Sequence, residues 1–287
     1  MSRVAISFLV PLILFSLTSC DPSGYVMVGG DRTTVESGGS PWADADYVQI
    51  DDMILDRKNL ETEVTSGVRF GSRHGSRGDY GTQAAAGFSI YHSVPWSRGI
   101  LPVVFDTDVP AERRRQFIEW GQKWNEGTGV RIVNRTKESE YLLVTYKPEG
   151  CYSYVGAARG KIRYLNLAEG CWYEPTVLHE IGHALGLMHE HQRPDRDQYI
   201  KLNLDNVTPE YHYAFTRFAS MNEAEEYDFL SIMHYGATAF SSNGGRTILV
   251  QSRYEKFQSQ IGINKISQSD RRVIAAMYAE EVRRRGD

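Results

Sequence analysis

The stretch that most constrains this 287-residue chain is HEIGHALGLMHEHQRPDRDQYI, which runs from His179 to Ile200. Residues four apart share one face of a helix, so His179 and His183 can offer two imidazoles to one metal ion. Gly186 can adopt a positive φ, which lets the chain leave the helix sharply and return with His189 as a third ligand. Three imidazoles with one open position are typical of catalytic zinc, whereas structural zinc sites fill the fourth position, usually with thiolates.

Glu180, next to the first of these histidines, is the predicted general base. Consecutive helical residues are turned by about 100° around the axis, so Glu180 can face a water at the metal without being a ligand itself. There it can take a proton as the water attacks a peptide carbonyl, and pass that proton to the leaving amine. Two alternatives are a glutamate that only orients a ligand and a helix whose histidines are ordinary core or surface residues.

The residues around and beyond this helix resemble the astacin family of the metzincin metallopeptidases. HExxHxxGxxH is the metzincin pattern, and Glu190 with the continuation RPDRDQYI is similar to its astacin form. The sequence SIMHYG, from Ser231 to Gly236, resembles the Met-turn of that family. The likeness extends through TKESEYLLV, GCYSYVG and GCWYEPTVLHE, and covers roughly Trp96 to the C-terminus.

The resemblance implies a zinc endopeptidase that acts on proteins or peptides and uses one catalytic Zn²⁺. Met233 would lie beneath the zinc, and Tyr235 would be a further ligand that swings to hydrogen-bond the oxyanion. The implied fold is α+β and zincin-like. Its N-terminal subdomain is a twisted, mainly β-sheet with two helices, and its C-terminal subdomain is mostly irregular with a long terminal helix. The alternative function is a catalytically silent, zinc-containing homologue that binds peptides at the cell envelope, although both Glu180 and Tyr235 are present.

The first twenty residues, MSRVAISFLVPLILFSLTSC, predict a lipoprotein-type signal peptide. LTSC resembles a bacterial lipobox, in which Cys20 is acylated; an ordinary signal peptide is the alternative. We therefore expect an exported protein of the bacterial cell envelope whose membrane contact is a lipid anchor. The net charge of −4 gives no basic field for a nucleic-acid partner, and we expect a monomer.

Two cysteines remain after Cys20, and an oxidising compartment favours their pairing. The pair Cys151–Cys171 also matches the short disulfide of the astacin family. The family's longer disulfide is missing, because Gly129 stands where cysteine is usual and the C-terminal helix carries none. We expect this loss to loosen the domain rather than unfold it.

Residues 21–90 are predicted to be a tether and propeptide, and residues 91–287 the peptidase domain. Within the propeptide, QIDDMIL resembles the family's pro-segment motif, in which an aspartate occupies the zinc, although two of its positions differ from that motif. Asp52 is the candidate for this zymogen switch, with Asp51 as the runner-up. In the family, the glutamate that matches Glu190 bonds to the buried N-terminus of the mature enzyme, which implies cleavage somewhere between residues 69 and 91.

Apolar periodicity and breaker residues predict the secondary structure of the peptidase domain. A helix is expected after Pro110, a second over EPTVLHEIGHALG, and a terminal one that begins with a Ser267–Asp270 capping pair. Strands are expected over residues 101–105, 130–134 and 141–146, and CYSYVG and IRYLNL are expected to add edge strands. The remaining histidines are interpreted as structural (His191, His234) or incidental (His74, His92, His212).

Overall fold

The structure is a computed structural model that describes residues 47–56, 93–218 and 226–286. Its strands are β1 (Tyr47–Ile50), β2 (Met53–Asp56), β3 (Ile100–Phe105), β4 (Arg131–Asn134), β5 (Tyr141–Thr145), β6 (Cys151–Tyr154), β7 (Ile162–Leu167), β8 (Ile200–Leu202) and β9 (Ile248–Val250). Its α-helices are α1 (Ala111–Gly121), α2 (Glu174–Leu185) and α3 (Gln268–Arg285).

Seven of these strands form one mixed sheet in the order β1-β2-β6-β7-β5-β3-β4. Strands β4, β3, β5 and β7 are parallel to one another, and β6 is antiparallel to β7. The prediction that CYSYVG and IRYLNL are edge strands is wrong, because β6 lies between β2 and β7, and β7 lies between β5 and β6. Its Leu165 and Leu167 are fully buried, which fits an interior strand with both neighbours in place.

Apolar residues of the three helices and of the sheet form the main core. It includes Phe117 of α1, Ile181 of α2 and Ile274 of α3, packed with strand residues such as Leu101 and Leu142. A second cluster lies in the C-terminal half, where β8 and β9 form a small hairpin-like sheet and most other residues are in short 3-10 helices or loops. The α+β, metzincin-like architecture predicted from the sequence is confirmed.

The segment 47–56 joins the sheet. A two-residue turn, Asp51–Asp52, connects β1 to β2, and Asp51 takes a left-handed φ of 57°, which aspartate tolerates better than most residues. β2 then pairs in parallel with β6, where Ser153 N donates to Asp52 O at 2.7 Å and Val155 N donates to Ile54 O at 3.0 Å. This piece of the predicted tether and propeptide therefore adds two strands to the edge of the sheet.

The terminal helix α3 is fixed to the start of the peptidase domain by buried polar contacts. The Tyr278 hydroxyl donates to Leu185 O at 2.9 Å, and Trp96 donates its indole N–H to Ala184 O at 2.7 Å. Both bonds satisfy carbonyls at the C-terminal end of α2, where no intrahelical donor remains. The C-terminal end of α2 is thus tied to the middle of α3 by Tyr278 and to the start of the peptidase domain by Trp96, and both side chains are fully buried.

Two covalent predictions can be compared with the structure. Cys151 and Cys171 form a disulfide with a Cα–Cα distance of 5.8 Å, so the predicted pairing is confirmed. At the place of the missing second disulfide, Gly129 lies against α3: a β-carbon added to Gly129 would be 3.1 Å from Val282 Cγ2. Close packing therefore occupies the position where the family usually has a bridge.

Replacing Gly129 with alanine should destabilise the protein more than the same change at Gly127. Both glycines have left-handed φ values, 76° and 71°, so both substitutions strain the backbone by about 1–2 kcal/mol. Only at Gly129 does the added methyl press on Val282, whereas Gly127 has no atom within 4 Å of that position. Urea unfolding should show an additional loss of about 1–3 kcal/mol for Gly129→Ala. Equal losses would mean that α3 yields freely at this contact.

Candidate metal centre

Helix α2 carries the first part of the centre, and its sequence explains both of its ends. Pro175 lies in the first turn, where its missing N–H is not needed. Gly186 caps the C-terminus with φ 109°, which confirms the predicted sharp exit. A β-carbon at Gly186 would also lie 2.7 Å from Ser93 Oγ, so close packing excludes larger residues there. The chain that follows returns His189 to the two histidines of the helix.

Each of the three histidines is oriented by a hydrogen bond at Nδ1. His179 Nδ1 lies 2.8 Å from Ile232 O, and His183 Nδ1 lies 2.8 Å from Leu187 O. His189 Nδ1 lies 3.0 Å from the Gln192 side-chain oxygen. Because these oxygens can only accept, each Nδ1 carries the proton and each Nε2 presents a lone pair.

The three Nε2 atoms converge on one point. His179 Nε2 is 3.1 Å from His183 Nε2 and 3.2 Å from His189 Nε2. Three lone pairs this close repel one another unless a cation lies among them, and neutral imidazoles are the form that binds metal. Burial lowers the pKa of His183 to about 4, which keeps that ring neutral. The donor set therefore fits a metal ion.

Asp52 lies directly on the three histidines. One carboxylate oxygen is 3.2 Å from His179 Nε2, and the other is 3.4 Å from His183 Nε2 and 3.1 Å from His189 Nε2. The ligand atoms of all four residues lie within 4.8 Å of one another. The aspartate thus takes a position that could complete a four-ligand site.

Asp51 is more buried than its neighbour, at 5% exposed, and does not meet the histidines. Burial, and then the charge of Asp52, raises the pKa of Asp51 well above its usual range. The neighbouring Glu180 shows the same trend, because burial first and then the charges of Asp52 and Asp51 raise the pKa of Glu180 well above its usual range. Glu180 is 1% exposed, and its Oε2 has no hydrogen-bond partner. Such an orphaned carboxylate oxygen beside a metal-binding triad is available for a reacting molecule.

Tyr235 and Met233 come from the predicted Met-turn. The Tyr235 ring stacks on His191 with centroids 3.8 Å apart, and its centroid lies 4.8 Å from that of His189. Its hydroxyl is buried without a hydrogen-bond partner, as expected of a group that acts on a metal or a bound molecule. Met233 is buried beneath α2, where a β-carbon on Gly182 would lie 2.7 Å from its sulfur.

Several residues that support the centre were not found by the sequence analysis. Gly182, inside the HEIGH motif, permits the close approach of the methionine. Gln192 orients His189. Asp270 accepts hydrogen bonds from Ser231 Oγ at 2.6 Å and Ile232 N at 3.0 Å, and so holds the Met-turn. Asp270 was predicted only as the capping residue of α3, a role that the structure confirms.

Glu190 has partners within the described chain. Its Oε1 accepts from Asp228 N at 2.7 Å and from Arg193 Nη1 at 3.1 Å. Burial raises the pKa of Glu190 to about 8, although the Arg193 guanidinium acts in the opposite direction. Its implied partner, the N-terminus of a mature enzyme, would come from residues outside those described, so that role stays a prediction. Cys20, His74 and His92 likewise lie outside the described residues.

These features line an open cleft with a volume of about 640 Å³. His179, Glu180 and Tyr235 lie on its wall beside Asp52, and residues such as Tyr211 and Phe240 extend it into the C-terminal half. The centre is therefore reached from a groove of the size that binding sites for extended ligands have.

Known proteins resemble the chain over the same region. A sequence profile of the peptidase family described as Astacin matches residues 89–279. The zinc metalloproteinase nas-6 of Caenorhabditis elegans is 36% identical over 156 residues, which cover 53% of this chain and 45% of that relative. Bone morphogenetic protein 1 of Xenopus laevis is 36% identical over 149 residues, 51% of this chain and 21% of the relative. The chain thus spans less than half the length of these curated relatives.

A solved structure shows the same fold. High choriolytic enzyme 1, a hatching enzyme zinc-protease from the medaka fish Oryzias latipes, superposes with a TM-score of 0.59 at 32% sequence identity. The match covers 65% of this chain and 93% of that one. Since the profile match spans most of the chain and includes the whole centre described above, this protein belongs to the astacin family.

Proposed function

We propose that this protein is a zinc-dependent endopeptidase in which the segment 47–56 keeps the active site latent. One observation carries the proposal: His179 Nε2 lies within 3.2 Å of the Nε2 atoms of His183 and His189, and each of the three rings has its Nδ1 bonded to an acceptor. The unpartnered carboxylate oxygen of Glu180 belongs to the residue next to His179. Membership of a metallopeptidase family supports the choice of zinc.

In this proposal His179, His183 and His189 hold the ion, with Tyr235 as a further ligand. Bound zinc supplies Lewis-acid chemistry, which polarises a carbonyl and makes water acidic at neutral pH. Met233 packs against α2 below the histidines and has no direct chemical role. The bonds from Nδ1 to Ile232 O and Leu187 O keep the imidazoles in the tautomer that a metal requires.

Glu180 moves the proton. Its buried carboxylate accepts a proton from the water that attacks the peptide carbonyl, and donates it to the amine that leaves. The Tyr235 hydroxyl, which is buried and has no partner in the latent state, is placed to donate a hydrogen bond to the oxyanion that forms on the carbonyl.

Strand β6 supplies the binding edge for the substrate. In the structure β2 uses the amides of Ser153 and Val155, which are the groups that an extended peptide would otherwise pair with. Removal of residues 47–56 would free both amides and the metal centre together. Latency and substrate binding therefore compete for one strand edge, with Asp52 as the group that fills the metal site.

Export and anchoring remain proposals as well. The leader that ends at Cys20 supports a lipoprotein of the bacterial envelope, with the catalytic part released by propeptide cleavage. Within residues 47–56, 93–218 and 226–286, no helix combines the length and apolar character that crossing a membrane requires.

Replacing His183 with alanine should remove zinc from the protein. Losing one of three imidazoles from a buried site costs most of its affinity for the metal, because water replaces a fixed ligand. Zinc measured by atomic absorption after dialysis should fall from about one ion per chain to near zero. His212→Ala is the matched control: its imidazole bonds to Leu204 O, far from the centre in sequence and contacts, and the variant should keep its zinc. Full zinc content in His183→Ala would contradict the ligand assignment.

Replacing Glu180 with glutamine should abolish peptide hydrolysis and leave zinc content unchanged. The amide keeps the size of the side chain but cannot accept the proton, so turnover of a casein or peptide substrate should fall by about 10²–10⁴. The measurement uses the chain processed between residues 57 and 92. Near wild-type turnover would rule out Glu180 as the base, and peptide binding without cleavage by the unsubstituted protein would favour the silent homologue.

Replacing Asp52 with asparagine should raise the activity of the unprocessed chain. The neutral amide loses its charge-assisted contacts with the metal centre, so the segment should leave the cleft about 10 to 100 times more often. Hydrolysis of a fluorogenic peptide by the full chain reports this change. Asp51→Asn is the control, because asparagine also tolerates a left-handed φ and Asp51 is not among the groups that meet the three histidines. Equal activation by the two substitutions would argue against Asp52 as the switch.

A further inference from the structure

A buried ion pair joins the segment 47–56 to the peptidase domain, away from the metal centre. Arg163 of β7 is 1% exposed, and its Nη2 donates to Asp56 Oδ2 at 2.6 Å. Its Nη1 lies 3.4 Å from the other oxygen of the same carboxylate. The guanidinium and the carboxylate face each other in a bidentate arrangement, which is the geometry by which arginine recognises carboxylates.

Two further contacts of this guanidinium come from the peptidase domain. It lies over the Tyr154 ring at 4.9 Å, and Nη2 also donates to Ala157 O at 3.2 Å. These contacts hold the arginine in place from beneath and from the side. Asp56 is the carboxylate that approaches it from the segment added at the edge of the sheet.

Asp56 stands in line with the residue that fills the metal site. Ile54 and Asp56 are two residues apart in β2, so they share one face of the strand. Asp52 lies in the turn directly before β2, four positions from Asp56, which is a distance of ~13 Å at about 3.3 Å per residue. Ile54 packs on Tyr152 and Tyr154 in a small apolar cluster. Along β6 the segment therefore meets three sites in order: the metal centre, an apolar surface and Arg163.

Departure of the segment would remove the Asp56 carboxylate from Arg163. A carboxylate of a bound peptide that reaches the same guanidinium can then take the place of Asp56, with the same bidentate geometry. A peptide bound along β6 would pass the same three sites, because it pairs with the same strand edge.

We propose that Arg163 is a specificity-determining residue that takes an acidic side chain of the substrate, about four residues from the bond that is cut. The inference rests on the proposed function, in which segment 47–56 is removed and a peptide replaces it along β6. Asp56 then stands in for the acidic residue of the substrate. Ile54 stands in for an apolar residue between that position and the cut.

The first test measures binding without catalysis. The full chain carrying Glu180→Gln is loaded with zinc, cut by trypsin in the stretch GSRHGSR and separated from its N-terminal fragment. A fluorescein-labelled peptide of residues 47–58 and its Asp56→Asn version are titrated against it by fluorescence anisotropy. The asparagine peptide should bind about 10 to 100 times more weakly, as for a lost charged hydrogen-bonded pair.

Arg163→Met in the same protein should make the two peptides bind equally. Arg115→Met is the matched control, since that arginine is exposed on α1 and pairs with Glu112, and it should preserve the difference. An Asp56→Asn effect that persists unchanged in Arg163→Met would overturn the proposal. Retained zinc and an unchanged circular dichroism spectrum identify variants that are folded.

The second test profiles cleavage of a peptide library by the processed chain with Glu180 intact. Asp and Glu should be enriched over Asn and Gln at one fixed position, three to five residues from the cut, and Arg163→Met should lose this enrichment. Its kcat/KM on a peptide with no acidic residue should stay within about twofold of the unsubstituted protein. Cleavage without an acidic preference would contradict the acidic subsite at Arg163 and would still support the proposed endopeptidase activity. If the Asp56→Asn peptide binds more weakly but no peptide is cleaved, the acidic subsite is supported and the proposed activity is contradicted.

Discussion

The centre depends on three hydrogen bonds that fix the histidine tautomers. An imidazole can bind a metal through Nε2 only if Nδ1 carries the proton, and here each Nδ1 meets an acceptor. The three acceptors come from three places: Leu187 after the helix exit, Gln192 in the following turn, and Ile232 in the Met-turn. The exit at Gly186 and the position of the Met-turn are therefore both required for one set of converging lone pairs.

The Met-turn is held in position by α3. Asp270 binds Ser231 and Ile232, and it also accepts from Ser267 N at 2.8 Å as part of the capping box of α3. The buried Asp270 carboxylate thus caps the N-terminus of α3. It also holds the backbone of Ile232, whose carbonyl orients His179. Burial raises the pKa of Asp270, while the bonds from Ser231 and Ile232 act to lower it. The stability of α3 and the geometry of the centre are coupled through this residue.

The separation of residues along the sequence decides which parts of this site can be predicted from the sequence. His179, Glu180 and His183 are local on one helix, so periodicity alone places them together. Gln192 orients a histidine three residues away, yet nothing in a glutamine marks that role. Ile232 acts through its carbonyl from 53 residues away, which no side-chain pattern can reveal.

In the fold, too, features with a local sequence signal can be predicted and features without one cannot. The cap of α3 and the glycine that ends α2 have strong local signals, and both predictions are confirmed. The place of β7 inside the sheet had no such signal, because IRYLNL mixes apolar residues with Arg163 and Asn166, a pattern that fits an edge strand as well as an interior one. The ion pair between Asp56 and Arg163 joins residues 107 positions apart and required the structure.

The register of β2 decides why Asp52, and not Asp51, meets the histidines. Side chains of a strand alternate between its faces, so a slip of one residue would turn Asp52, Ile54 and Asp56 away from their partners together. Two pairings oppose such a slip: the tight turn sets β1 against β2, and the bonds from Ser153 and Val155 set β2 against β6. Ile54 and Asp56 add contacts that only one register satisfies. Asp52 is thus held against the three histidines by pairings spread over residues 47–56, rather than by its own contacts alone.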